Sequence, residues 1–137
     1  MWKYYALLSA FFAALTAILA KVGVKGINGN LATAIRTTVV LLLAWGIVFF
    51  SSQLKGVKEL SKTNLIFLVL SGLATGLSWI FYFKALETGD VSKVAPIDKL
   101  SVVFVLILSF LFLKEQPDIK TIAGGLLITI GAIVLIW

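Results

Sequence analysis

Apolar residues fall into five runs, at residues 4–20, 31–50, 65–86, 97–113 and 119–137, separated by short polar stretches. A helix of about 20 residues rising 1.5 Å per residue crosses roughly 30 Å of hydrocarbon, so each run has the length of a membrane span. The pattern predicts an all-α membrane protein of about five transmembrane helices, with residues 1–137 as a single domain. Runs 4–20 and 97–113 are the shortest, and an alternative with four spans would lay one of them in the interface. Boundary residues support the segmentation: Asn30 is a plausible N-cap for the second helix and Gly89 a left-handed cap for the third. Pro96 can open the fourth helix, and Pro117 can sit in the first turn of the fifth. Trp2, Tyr4, Tyr5, Trp45 and Trp137 lie near run ends, where interfacial anchors are expected.

Composition narrows the class further. With 61% hydrophobic and 13% charged residues, the chain lies far from the soluble average of about half apolar and a quarter charged. The lipid bilayer is therefore the expected partner. The formal charge of +6 comes from Lys and Arg scattered beside apolar blocks, which reads as topology signalling and not as a nucleic-acid surface. Cysteine and histidine are absent, which removes disulfides, thiolate nucleophiles, Cys/His metal sites and imidazole relays. No cofactor or metal is expected, and an enzyme is disfavoured. Residues 1–20 imitate a secretory leader, but no small-x-small site precedes a polar segment and four more apolar runs follow.

Five spans put Lys3, Lys55, Lys58, Lys62, Lys114 and Lys120 on one side against Glu59, Glu115 and Asp118. The other side carries Lys21, Lys25, Arg36, Lys84, Lys93 and Lys99 against Glu87, Asp90 and Asp98. Positive-inside counting ties, and discounting basic residues inside runs favours a cytoplasmic N-terminus. A single orientation and dual insertion both remain open.

Polar groups inside the runs are the candidate chemistry. At 100° per residue, Ser71, Thr75, Ser78 and Tyr82 share an arc of about 60°, beside Gly72, Gly76 and Trp79. Asp98, Ser101 and Ser109 share an arc of about 80° in the fourth helix, and Ser9, Ala13, Thr16 and Ala20 one of about 60° in the first. Such stripes line cavities or let helices pack closely. A charge near the bilayer centre costs at least about 2.5 to 3.5 kcal/mol on insertion scales, so Arg36 and Asp98 are either anchored to the interface or functional. Arg36 and Lys84 can snorkel, and Lys99 can neutralise Asp98 as its neighbour. Lys21, Arg36, Lys84, Glu87, Asp98 and Lys99 belong to one end of the bundle, as a charged vestibule or an interfacial belt.

The stretch from Tyr82-Phe-Lys-Ala-Leu-Glu-Thr-Gly89 through Pro96 to Phe112-Leu113-Lys114-Glu115 and Pro117, followed by Gly124-Gly125 and Gly131, resembles the EamA domain of the drug/metabolite transporter superfamily. Lys21 and Arg36 fit the same pattern. The resemblance implies a secondary transporter built as one five-helix repeat, where many relatives carry two repeats of inverted topology. A complete pathway then needs a second copy, which suggests a homodimer, possibly antiparallel. The size also resembles small multidrug transporters, but residues 4–20 contain no acidic residue, so their coupling does not carry across.

The expectation is a multi-pass protein of the cell membrane that moves a small metabolite or drug-like solute by alternating access. Substrate-binding or coupling candidates are Asp98, Lys99, Ser101, Ser78, Trp79, Tyr82, Arg36 and Glu87. Dimer packing is expected at Thr121, Gly124, Gly125, Gly131 and Ala132, a small-residue face of the last helix. The rival reading is an accessory or assembly subunit that packs against a larger membrane protein.

Overall fold

Five helices are long and apolar enough to cross a membrane, namely Trp2–Gly23, Gly29–Phe50, Lys62–Thr88, Val91–Leu113 and Ile119–Ile136. The computed structural model describes residues 1–136, and Trp137, expected as an interfacial anchor, lies outside the described residues. The two shortest runs lie in helices of 22 and 23 residues, each long enough to cross a membrane. Apolar side chains dominate the surface: Leu42 is 68% exposed and Phe81 67%. Water would not tolerate this, whereas lipid tails solvate it.

Helix α1 is Trp2–Gly23 and α2 is Gly29–Phe50. The turn between them passes through Gly26 at φ 76°, a left-handed conformation that glycine adopts freely. Asn28, not Asn30, caps α2, because the Asn28 side chain is the one that accepts from the Asn30 N–H, at 2.8 Å. A short 3₁₀ segment, Gln53–Glu59, occupies the polar loop, and α3 then runs unbroken over Lys62–Thr88. Left-handed backbone among the described residues falls at Gly26, Ser52 and Lys114, so Gly89 does not close α3 in the expected way.

The fourth span departs most from expectation. It divides into α4, Val91–Asp98, and α5, Ser101–Leu108, followed by a π turn at Ser109–Leu113. Pro96 lies inside α4 instead of opening the helix, and its ring nitrogen has no N–H to give to the turn before it. Downstream, Lys99, Leu100, Val102 and Val103 donate to carbonyls three residues back, a tighter winding than the α-helix. Pro117 precedes α6, Ile119–Ile136, and Asp118 caps it by accepting from the Thr121 N–H at 2.9 Å. Pro117 is thus outside the first turn.

The chain forms two compact units, Ile18–Thr88 and Met1–Ala17 with the chain from Gly89 onward. In the first, α2 packs on α3; in the second, α4 and α5 pack on α6.

Candidate functional site

Small residues set the α2–α3 contact. Gly29, Ala32 and Thr33 recur at helical spacing and are all buried, while α3 contributes buried Phe83 and Leu86. Without a hydrophobic drive between helices in lipid, such faces hold together by close packing and interhelical hydrogen bonds. Gly29 is a point of close approach, since a Cβ there would lie 2.9 Å from Glu87 Oε1 and 3.3 Å from the Lys84 backbone nitrogen. The Gly29 N–H donates to the Glu87 carboxylate, which places an anion at the positive end of α2. From α1, the Lys21 ammonium donates to the Leu86 carbonyl at 2.5 Å. Thr33 and Thr37 return their hydroxyl protons to carbonyls one turn back, at 2.8 and 2.7 Å, so neither is left unsatisfied in lipid.

About two turns in from Gly29 lies Arg36. Its guanidinium carbon sits 3.9 Å from the centroid of the Trp79 ring and 5.8 Å from that of Phe83. Stacking over the indole face is the geometry that cation–π attraction favours. Depth can be read from the Gly29–Glu87 contact, because α2 and α3 run antiparallel away from it. At 1.5 Å per residue the Cα of Arg36 is about 10.5 Å inward, that of Trp79 about 12 Å and that of Phe83 about 6 Å. A snorkelling arginine would lean towards Phe83 and the helix ends. Arg36 instead lies closest to the deeper ring, half-buried.

The structure therefore pairs Arg36 with Trp79 and, nearer the helix ends, sets Glu87 on Gly29 and Lys21 on Leu86, with Tyr82 half-buried and Ser78 exposed. Lys84 is exposed. Sequence reasoning missed Gly29, Phe83 and Leu86. The signal for them is present, because Gly29, Ala32, Thr33 and Arg36 follow the i, i+3, i+4, i+7 rule for one helix face, as Trp79, Phe83 and Leu86 follow i, i+4, i+7.

In the other unit, Asp98 forms an ion pair with its neighbour Lys99 at 3.3 Å, with the two side chains 38% and 56% exposed. The pair sits at the break between α4 and α5. The arc expected for Asp98, Ser101 and Ser109 assumed one continuous helix, and that premise fails at this break. Ser101 is exposed, and the Ser109 hydroxyl donates to the Leu106 carbonyl at 3.1 Å. An apolar groove of about 340 Å³ opens between Leu106, Phe110, Pro117, Ile122 and Leu126. Thr129 lines it too, but gives its hydroxyl proton to the Gly125 carbonyl at 2.8 Å. The small-residue face of α6 divides: Gly125 and Ala132 are buried, Gly124 is half-buried, and Thr121 and Gly131 are exposed. A Cβ on Gly125 would meet Leu106 Cδ1 of the same chain at 2.6 Å.

Two comparisons agree with this architecture. The profile of the EamA-like transporter family matches residues 1–137. A protein of Sinorhizobium sp., named an uncharacterized transporter in the cobO 3' region, is 49% identical over 134 residues, covering 98% of this chain and 95% of that protein. No solved structure matches. Five apolar helices, a basic side chain drawn inward between two of them and a family match along the whole chain lead to one identification: this chain is a membrane protein of the EamA-like transporter family.

Proposed function

We propose that the protein moves a small metabolite or drug-like solute across the cell membrane by alternating access, as a multi-pass homodimer. The observation that carries this reading is Arg36 held on Trp79 inside a span, where a purely structural arginine would reach for the interface. Solute contact is assigned to Arg36, Trp79, Tyr82 and Ser78, with Glu87 holding the mouth of that face through Gly29. Asp98, Lys99 and Ser101 are separate candidates for coupling. The tied charge count supports an antiparallel pair. For dimer contact, Thr121 and Gly131 are the free part of the α6 face, since Gly125 and Ala132 are buried within their own chain.

Reconstitution tests the reading. Proteoliposomes should accumulate at least one solute from a panel of labelled amino acids, monocarboxylates and quaternary ammonium ions above the level of protein-free vesicles, and Gly131→Leu should shift the detergent-solubilised dimer to monomer. A chain that moves none of them, and that becomes ordered only with a different membrane protein, would be an accessory subunit.

A further inference from the structure

We propose that the Arg36 seat between α2 and α3 binds the carboxylate of a small organic anion, which gives the transport reading above, on which it rests, a substrate class. A guanidinium carries its five N–H donors in its own plane, so rings stacked on the face leave the donors pointing sideways and open. Trp79, with its ring centroid 3.9 Å from the guanidinium carbon, takes that role, and Phe83 lies farther off at 5.8 Å. Tyr82 lies close enough to Arg36 to interact with it electrostatically, and several other side-chain acceptors of the same unit are engaged elsewhere. Glu87 accepts from the Gly29 N–H, and Thr33 and Thr37 are turned to their own helix backbone. Among the described residues, no carboxylate forms an ion pair with Arg36.

A cation inside a span is costly without a counter-ion. Stacking on an indole offsets part of that cost. An exchangeable anion supplies the remainder while it is bound, and a carboxylate matches the guanidinium fork with two parallel hydrogen bonds. Lysine would offer a point charge without the fork, so the choice of Arg at this position fits a planar anion. Half-burial leaves the group reachable, as a solute site requires.

The test uses Trp79 as its own reporter. With Trp2, Trp45 and Trp137 changed to Phe, and the protein in phosphatidylcholine nanodiscs, benzoate and acetate are titrated against Trp79 emission. A saturable change is expected. Arg36→Gln should raise the midpoint roughly tenfold or more, as expected for losing a charge-assisted bidentate pair. Arg36→Lys should fall between the two, and Lys3→Gln, which removes the same charge from the N-terminal tip, should match the parent. If Arg36→Gln loses helicity or aggregates, Arg36→Lys decides, and an unshifted midpoint there overturns the proposal. No saturable response in the parent overturns it as well. A response that requires phosphatidylglycerol in the disc and ignores benzoate and acetate assigns the seat to a lipid headgroup and overturns the solute reading. Benzoate that binds but is not taken up into proteoliposomes counts against transport and leaves the anion seat standing. Uptake of another solute that ignores both benzoate and Arg36→Gln counts against the seat and leaves transport standing.

Discussion

The α2–α3 pair and the fourth span paired with α6 treat their polar groups in opposite ways. In the first, small residues on α2 let the backbones meet, and polar groups find partners far along the chain: Gly29 with Glu87, Lys21 with Leu86, Arg36 with Trp79. In the second, Pro96 interrupts the helix, Asp98 pairs with the adjacent residue and a groove stays open, while serine and threonine hydroxyls fold back on their own turns in both. Close approach is what converts isolated polar residues into an interhelical site. Where it is absent, the same residue types satisfy themselves locally, and a charge inside a span is then a poor indicator of function.

The largest effect expected from breaking this contrast is at Gly29. Gly29→Val should destabilise the α2–α3 contact by about 1–3 kcal/mol, the usual cost of forcing bulk into a closed contact, because the Lys84 backbone cannot move aside. Gly125→Ala should cost less, since its clash is with the free end of the Leu106 side chain, which can turn away. Thermal unfolding followed by circular dichroism in detergent compares the two, and equal losses would erase the distinction drawn between the two pairs.

Much of the fold was legible because the signal is simple. Runs of lipid-compatible residues announce spans, and all five were found. Helix ends were less legible, since Lys62 and Asn64 at the start of α3, or Val91 to Pro96 ahead of the fourth run, are helical in backbone but not uniformly apolar. Asn28 and Asn30 offer the same side chain two residues apart, and only the backbone path picks the cap. For the site, Arg36, Trp79 and Glu87 were legible as chemistry one residue at a time. Their assembly was not, because it depends on which azimuth of α2 meets α3, and the selector is Gly29, a residue that reads in sequence as part of a turn.

At Asp98 the contrast sharpens into a separation of stability from activity. Asp98→Asn should leave thermal unfolding within about 0.5 kcal/mol of the parent, the scale of an exposed ion pair. If Asp98 has a coupling role, solute flux should nonetheless fall, because asparagine cannot ionise. Flux at the parental rate would leave the carboxylate as a partner for Lys99 and nothing more. A large loss of stability would contradict the local character assigned to the pair.

A smaller effect is expected outside the spans, at the start of α6. The Thr121 hydroxyl and then the Thr121 backbone N–H donate to Asp118 and hold its carboxyl below the ordinary carboxylate range. A group whose pKa is lower in the folded state lends stability above its unfolded value of about 3.9, and that stability is lost as pH falls through the folded value. Hydrogen-exchange protection of the first turn of α6 should therefore weaken as pH is lowered below about 4. Asp118→Ser, which keeps a capping oxygen without a carboxyl, should flatten that dependence. Unchanged protection in the parent would show that Asp118 does not hold the turn.

The central claim is alternating access to the polar face of α3, and the absence of native cysteine makes it directly measurable. Ser78→Cys, on the exposed side of that face, creates a single thiol in the chain. In sealed proteoliposomes, an impermeant maleimide added only outside should label this thiol to completion, at a rate that a transported solute changes, because every molecule presents the face to each side in turn. Labelling that stops at a fixed fraction, indifferent to solute, would mean a static mixture of orientations and would contradict alternating access.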